Sequence, residues 1–228
     1  MNKYFAMAAF ALASLSLSSC GNGSASSADS KFFGNVPGIF AEMLEKEDAL
    51  KEQFKACSSA EEGQKVQAEA ETLQNDFSAK LEEAGKALNG KTIEIQSSPE
   101  ITVNTPVTLE FDGFASKLDL TPRFKISGDV VAAQDYQSAD SKGISEAGGD
   151  LTRYTGLSEH VYLVGLDSEG NQLFSQKIAY FPIILISDTQ LGVKVGTPLV
   201  FETFTITKKN VEGCLRATTL QLKYTPDK

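Results

Sequence analysis

One segment of the chain, residues 134–159, carries most of the side chains that could do chemistry. It reads QDYQSADSKGISEAGGDLTRYTGLSE, and a connection of this length without secondary structure of its own is usually functional or disordered. Two carboxylates at a defined separation could hydrolyse a glycosidic bond, but solvated acids on a surface loop are much commoner. We therefore interpret the segment as a structural or disordered loop, with ligand binding and catalysis as alternatives. The candidate ligand-binding residues are Asp135, Tyr136, Asp140, Glu146, Asp150, Arg153 and Tyr154.

The rest of the sequence carries no catalytic motif. A single histidine, His160, and three cysteines exclude multi-histidine metal sites and cysteine-rich zinc modules. Neither a Gly-x-Ser-x-Gly elbow nor a phosphate-binding Gly-x-x-x-x-Gly-Lys-Ser/Thr loop occurs. The absence of tryptophan makes a sugar-stacking surface less favourable, since only tyrosines remain for it. We expect a non-enzymatic protein with no catalytic residues, no cofactor and no metal.

Composition and charge set the broad class. The 228 residues are 41% hydrophobic and 22% charged, as in an ordinary globular protein. Lys and Arg number 21 against 30 Asp and Glu, a net charge of −9. An acidic chain without a basic patch is not expected to bind nucleic acid.

The N-terminus has the pattern of a secretion signal. Met1-Asn2-Lys3 is followed by an apolar run from Tyr4 to Leu17, which is too short to span a bilayer. The run ends in Leu17-Ser18-Ser19-Cys20, which resembles the lipobox of bacterial lipoproteins. The resemblance implies that residues 1–19 are removed and that acylated Cys20 anchors the mature chain in a membrane.

The residues after Cys20 bear on where such a lipoprotein would reside. Gly21 stands where many lipoproteins retained in the inner membrane have Asp, so the resemblance favours the outer membrane. No acidic residue precedes Asp29, which favours the periplasmic face over the cell surface. We interpret residues 20–30, rich in Gly and Ser, as the acylated cysteine and a flexible tether.

Residues 31–90 predict an antiparallel helical hairpin. Pro37 suits a first helical turn, Ser59 and Glu62 form a capping box, and Asn89-Gly90 is a natural stop. The hairpin is either an arm that binds a partner or oligomerises, or a pair whose apolar stripes are buried on each other and on the next domain. In the second case Phe40, Phe54 and Phe77 dock it. The stripes are Phe40, Met43, Leu44, Leu50, Phe54 and Cys57, then Val66, Ala70, Leu73, Phe77, Leu81, Ala84 and Leu88.

Residues 91–228 predict an antiparallel β-sandwich, so the fold class is α+β. An immunoglobulin-like arrangement is one form of it, although no Cys…Trp…Cys core is present. The polar stretch 166–171 predicts a hairpin turn with glycine at positive φ. The predicted strands are Thr92–Gln96, Val107–Phe114, Arg123–Ser127, Val161–Leu166, Gln172–Ala179, Ile183–Ser187, Leu199–Thr207 and Thr219–Tyr224.

These features favour a lipid-anchored envelope protein with a binding or scaffolding role. Its partners would be the membrane, through the anchor, and an envelope protein or glycan. The alternatives are a periplasmic hydrolase of carbohydrate or peptidoglycan that uses the loop carboxylates, and a carbohydrate-binding module. We expect Cys57 and Cys214 to be separate thiols, with a disulfide between them as the alternative.

Overall fold

A computed structural model describes residues 29–137, 158–187 and 190–224, and shows a mixed α+β chain with several antiparallel sheets. Among the helices in these ranges, none is long and apolar enough to cross a membrane. The described helices are α1 Val36–Ala56, α2 Ala60–Lys86 and α3 Val211–Arg216. The described strands are β1 Lys91–Ile93, β2 Ile101–Val103, β3 Val107–Ser116, β4 Asp119–Ser127, β5 Val130–Ala132, β6 Tyr136–Gln137, β7 Ser158–Leu166, β8 Gln172–Pro182, β9 Ile184–Ser187, β10 Gln190–Val193, β11 Val200–Phe201, β12 Phe204–Thr205 and β13 Thr219–Tyr224.

Two four-stranded sheets contain the longest strands. Their strand orders are β1-β3-β4-β12 and β11-β8-β7-β13, and every pairing within them is antiparallel. A three-stranded sheet β6-β10-β9 and the pair β2-β5 complete the described strands. The expected hairpin between β7 and β8 is confirmed, with Gly170 at φ 86°. The Asp167 carboxylate closes this turn by accepting the backbone N–H groups of Glu169 and Asn171 at 2.9 and 2.8 Å.

Aromatic rings join the two larger sheets. Phe204 of β12 pairs in register with Phe124 of β4, and its ring centroid lies 6.1 Å from that of Phe174 on β8. Phe33, which precedes α1, is fully buried and stacks on Phe204 at 5.0 Å. The segment before α1 therefore supplies part of the core. The division of the sequence into a hairpin and a β domain did not predict this contribution.

Ser30 holds the same segment in place. Its hydroxyl donates to the Cys214 carbonyl at 2.6 Å and accepts the Phe33 N–H at 3.2 Å. The Lys31 ammonium donates to the Thr218 carbonyl at 2.8 Å. Because Ser30 is 3% exposed and bonded in this way, the prediction that a flexible tether includes residue 30 was wrong.

The strand predictions were wrong in two respects. The single strand predicted over Leu199–Thr207 is two short strands, with β11 on β8 and β12 on β4, so this segment passes from one large sheet to the other. Four short strands and helix α3 were not predicted. The strands are β2, β5, β6 and β10, which have only two to four residues each and too little pattern to recognise.

Candidate functional site

Two of the candidate loop residues, Asp135 and Tyr136, lie in the described part of the chain. The Asp135 carboxylate accepts the Val195 N–H at 2.7 Å. The Tyr136 hydroxyl donates to the Glu100 carbonyl at 2.9 Å, and its ring centroid lies 4.5 Å from that of Tyr224. Partial burial raises the pKa of Tyr136. Both side chains are thus engaged in fixing the start of the loop to neighbouring segments.

The other candidate residues cannot be placed. Cys20, Asp140, Glu146, Asp150, Arg153 and Tyr154 lie outside the described residues. Within the described ranges, no three His, Cys, Asp or Glu side chains are grouped so that they could hold a metal ion. Cys57 and Cys214 are both free thiols, and burial raises the pKa of Cys214.

The two long helices offer a different candidate, because only one half of each is docked on the sheets. In α1 the buried residues are Val36, Pro37, Phe40 and Met43, all in the first half. In α2 they are Phe77, Leu81, Ala84 and Gly85, all in the second half. No residue from 44 to 76 is buried, so the adjoining halves of the helices leave the core together.

Two polar contacts mark where the docked halves end. Lys208 forms an ion pair with Asp48 at 2.7 Å, and the Gln74 amide donates to the Lys117 carbonyl at 3.1 Å. No described hydrogen bond or ion pair joins residues 49–73 to a strand or to α3. We call residues 49–73 the arm.

Within the arm, helix α2 begins at a complete capping box. The Glu62 N–H donates to the Ser59 hydroxyl at 3.2 Å, and the Glu62 carboxylate accepts the N–H groups of Ser58 and Ser59 at 2.7 and 3.3 Å. The Ser58 N–H is the main reason why the pKa of Glu62 is lowered. The predicted capping box of Ser59 and Glu62 is confirmed.

Contacts between the two helices join residues in opposite chain order. A Cβ on Gly63 would lie 3.6 Å from the Phe54 ring. Leu50 and Leu73 line one groove between the helices, and the Lys46 ammonium lies 5.2 Å from the Phe77 ring centroid. The expectation that Phe54 docks on the β domain was wrong. Phe54 is 56% exposed, whereas Phe40 and Phe77 are 2% and 1% exposed. Its position near the far end of α1 carries it beyond the sheets.

An open groove runs between the helices, with half-buried Leu50 and Leu73 in it. A second concavity, on the α2 side, shares Glu69 and Leu73 with the groove and extends to Asp76. Glu69 and Asp76 are seven residues apart and so lie on one face of α2. Further residues that line these surfaces are Lys46, Ala49, Gln53, Ala68 and Thr72.

This part of the molecule is acidic. Residues 44–76 contain nine carboxylates and four lysines, an excess of five negative charges. All four lysines form ion pairs within the helices, at 2.7–3.2 Å for the shortest contact of each. Glu69 and Asp76 have no ion-pair partner among the described residues. In the sequence, the only signal for these two carboxylates is their spacing of seven residues on one helix face.

The chain matches no protein-family model, no curated protein and no solved structure.

Proposed function

We propose that this protein is a non-enzymatic, lipid-anchored protein of the cell envelope that binds a partner protein through its arm. In this proposal Cys20 carries the lipid, the outer membrane holds it, and the folded part faces the periplasm. The two helices form an antiparallel hairpin, and the two larger sheets form a β-sandwich of immunoglobulin-like type. The sandwich is the rigid base and the hairpin is the binding element.

The observation that carries the proposal is the undocked half of the hairpin. Phe54 is 56% exposed, and Leu50 and Leu73 are only half-buried. An apolar stripe left half in water loses hydrophobic stabilisation that a partner could restore, at about 25 cal/mol per Å². A large exposed ring at the end of a helix pair is more easily explained by binding than by stability.

The length of α1 also supports a role in which the arm binds its partner at a distance from the lipid anchor. Ser30 and Phe33 fix the start of the folded part in the core. Helix α1 begins a few residues later and has 21 residues, which at 1.5 Å each gives a length of about 31 Å. The far end of the arm therefore lies roughly 30 Å from the point where the tether joins the fold.

Asp135 and Tyr136, the two candidate loop residues in the described ranges, give the hydrolase and carbohydrate-binding alternatives less support. Asp135 accepts a backbone N–H, and Tyr136 donates to a backbone carbonyl. Both are therefore used in holding the chain. A carbohydrate-binding surface would need exposed rings, and the Tyr136 ring packs against Tyr224.

The lipid anchor is tested by labelled palmitate and by the mass of the mature chain in a Gram-negative host. Cys20→Ala should take up no label and should not give the acylated mature mass. Cys57→Ala is the matched control, and it should be labelled like the wild type. Label on the Cys20→Ala protein would refute the anchor.

Binding by the arm is tested by the size of the complex that mild detergent extracts from membranes. The wild-type protein should migrate above its monomer mass, and Phe54→Asp should return it to the monomer position. Val195→Asp, a change at an apolar side chain that is 60% exposed outside the arm, is the control. A wild-type protein that migrates as a monomer would refute the role of the arm.

A further inference from the structure

We infer that the groove of the arm takes an amphipathic helix of a partner protein whose apolar stripe is flanked by basic residues seven positions apart. This inference rests on the proposed function of the arm and names the chemistry of its partner. It concerns the groove around Leu50 and Leu73 and the carboxylates of Glu69 and Asp76.

The shape of the groove favours a helix as occupant. Two helices that pack side by side leave a furrow along their axes, and a third helix fits it with its own apolar stripe. The floor here is Leu50 and Leu73, and Ala49 and Ala68 are small side chains that allow close approach. The arm is built from helices with a complete cap, so it offers a preformed surface.

Charge decides between a basic partner and a second copy of this chain. Each of the four lysines of residues 44–76 forms an ion pair within its own helix, and the nine carboxylates of this segment exceed its lysines by five. One of these carboxylates, Asp48, pairs with Lys208 from outside the segment. A second copy would bring the same excess against it, and like charges across an interface disfavour association. A basic helix would instead meet Glu69 and Asp76, for which the described ranges contain no ion-pair partner.

The spacing of those carboxylates sets the pattern in the partner. Glu69 and Asp76 are seven residues apart, which corresponds to about 10.5 Å along the helix axis. A helix lying alongside α2 presents side chains at the same interval when they too are seven residues apart. Leu73 lies between the two carboxylates in the chain and lines the same surface. A partner helix that matches this order has apolar residues between its two basic residues along the helix axis.

The probe is a fluorescent three-heptad peptide with leucine on one face and lysine at flanking positions seven apart. A matched peptide carries glutamate in place of every lysine. Fluorescence anisotropy with the full-length acylated protein in uncharged detergent should show that the lysine peptide binds. It should also bind at least about fivefold more tightly than the glutamate peptide, which is the scale of two exposed ion pairs.

Three variants test whether the groove is the site. Leu73→Asp should weaken binding of the lysine peptide about tenfold, because it removes apolar contact from the floor of the groove. The double variant Glu69→Lys with Asp76→Lys changes only side chains outside the core, so it should stay folded. It should reverse the preference in favour of the glutamate peptide. Glu212→Lys, an exposed change on α3, is the charge control and should keep the lysine preference.

Several outcomes would overturn the inference. These are failure of the lysine peptide to bind, equal binding of both peptides, and binding that the Glu69→Lys/Asp76→Lys variant leaves unchanged. Concentration-dependent dimerisation of the wild type that Leu73→Asp abolishes would identify a second copy as the occupant. If the membrane complex is lost in Phe54→Asp while the lysine peptide does not bind, the arm still binds a partner and only its basic character is wrong.

Discussion

The two phenylalanines Phe54 and Phe77 give the most direct test of how the helices are divided into docked and free halves. Both lie on the apolar stripes that predicted the hairpin, yet Phe77 is 1% exposed and Phe54 is 56% exposed. We expect Phe77→Ala to destabilise the protein strongly and Phe54→Ala to have a small effect. The two variants make the same chemical change, so the difference between them reports how the surroundings of the two rings differ.

The magnitude follows from the exposed fractions. They differ by 55 percentage points, and on a side chain of roughly 200 Å² this is about 110 Å² of apolar surface. At about 25 cal/mol per Å² the two variants should differ by about 3 kcal/mol. Phe77→Ala also removes the contacts of the ring with the Lys46 and Lys80 ammonium groups, which lie 5.2 and 4.9 Å from the ring centroid. Its total loss should therefore reach about 3–5 kcal/mol, in the usual range for a buried phenylalanine.

Urea unfolding of the two variants and the wild type, in one detergent and at one protein concentration, measures this difference. The midpoint of Phe77→Ala should fall well below that of the wild type, while that of Phe54→Ala should stay close to it, with similar slopes. Leu118→Ala, at a side chain that is 84% exposed on the β3–β4 turn, sets the scale for a change at the surface. Equal losses for Phe54→Ala and Phe77→Ala would mean that the arm is docked, and the proposed function would lose its supporting observation.

Two further predictions concern titration and thiol chemistry. The Ser58 N–H lowers the pKa of Glu62, so the cap is complete above the ordinary glutamate pKa of about 4.3 and is lost as the pH falls through the lowered value. Amide exchange at the start of α2, corrected for its intrinsic pH dependence, should lose protection on acidification in the wild type, while in Glu62→Gln it should not change with pH. In the native protein Cys57, which is only partly buried, should react with a thiol reagent, whereas buried Cys214 should react only as fast as the protein unfolds. Equal reaction rates of Cys57 and Cys214 in the native protein would show an open core. If neither thiol reacted after denaturation without reductant, the two cysteines would form a disulfide.

Little of the candidate site could be predicted from the sequence. The loop at 134–159 drew attention because carboxylates and tyrosines cluster there, but Asp135 and Tyr136 act on backbone groups far along the chain, at Val195 and Glu100. Such partners are set by tertiary contacts and leave no local pattern. The arm was one of two readings of the apolar stripes, since a stripe shows which face of a helix is apolar but not what covers it.

The sequence by itself determined the local features. The Ser59–Glu62 cap, the proline in the first turn of α1 and the glycine turn at 166–171 are each formed by residues close together in the chain. Their hydrogen bonds and φ angles depend on near neighbours, so the residue types are sufficient to predict them.

Only the tertiary structure decided how far each element is covered. Phe54 and Phe77 carry the same side chain on the apolar stripes of their helices, and only the extent of the sheets determines that one is buried and the other exposed. The segment at 199–207 is divided between two sheets because β11 pairs with β8 and β12 pairs with β4, and both partner strands are distant in the chain. Periodicity along a chain records the direction of burial, whereas the depth of burial and the choice of partner strand depend on residues far away in sequence.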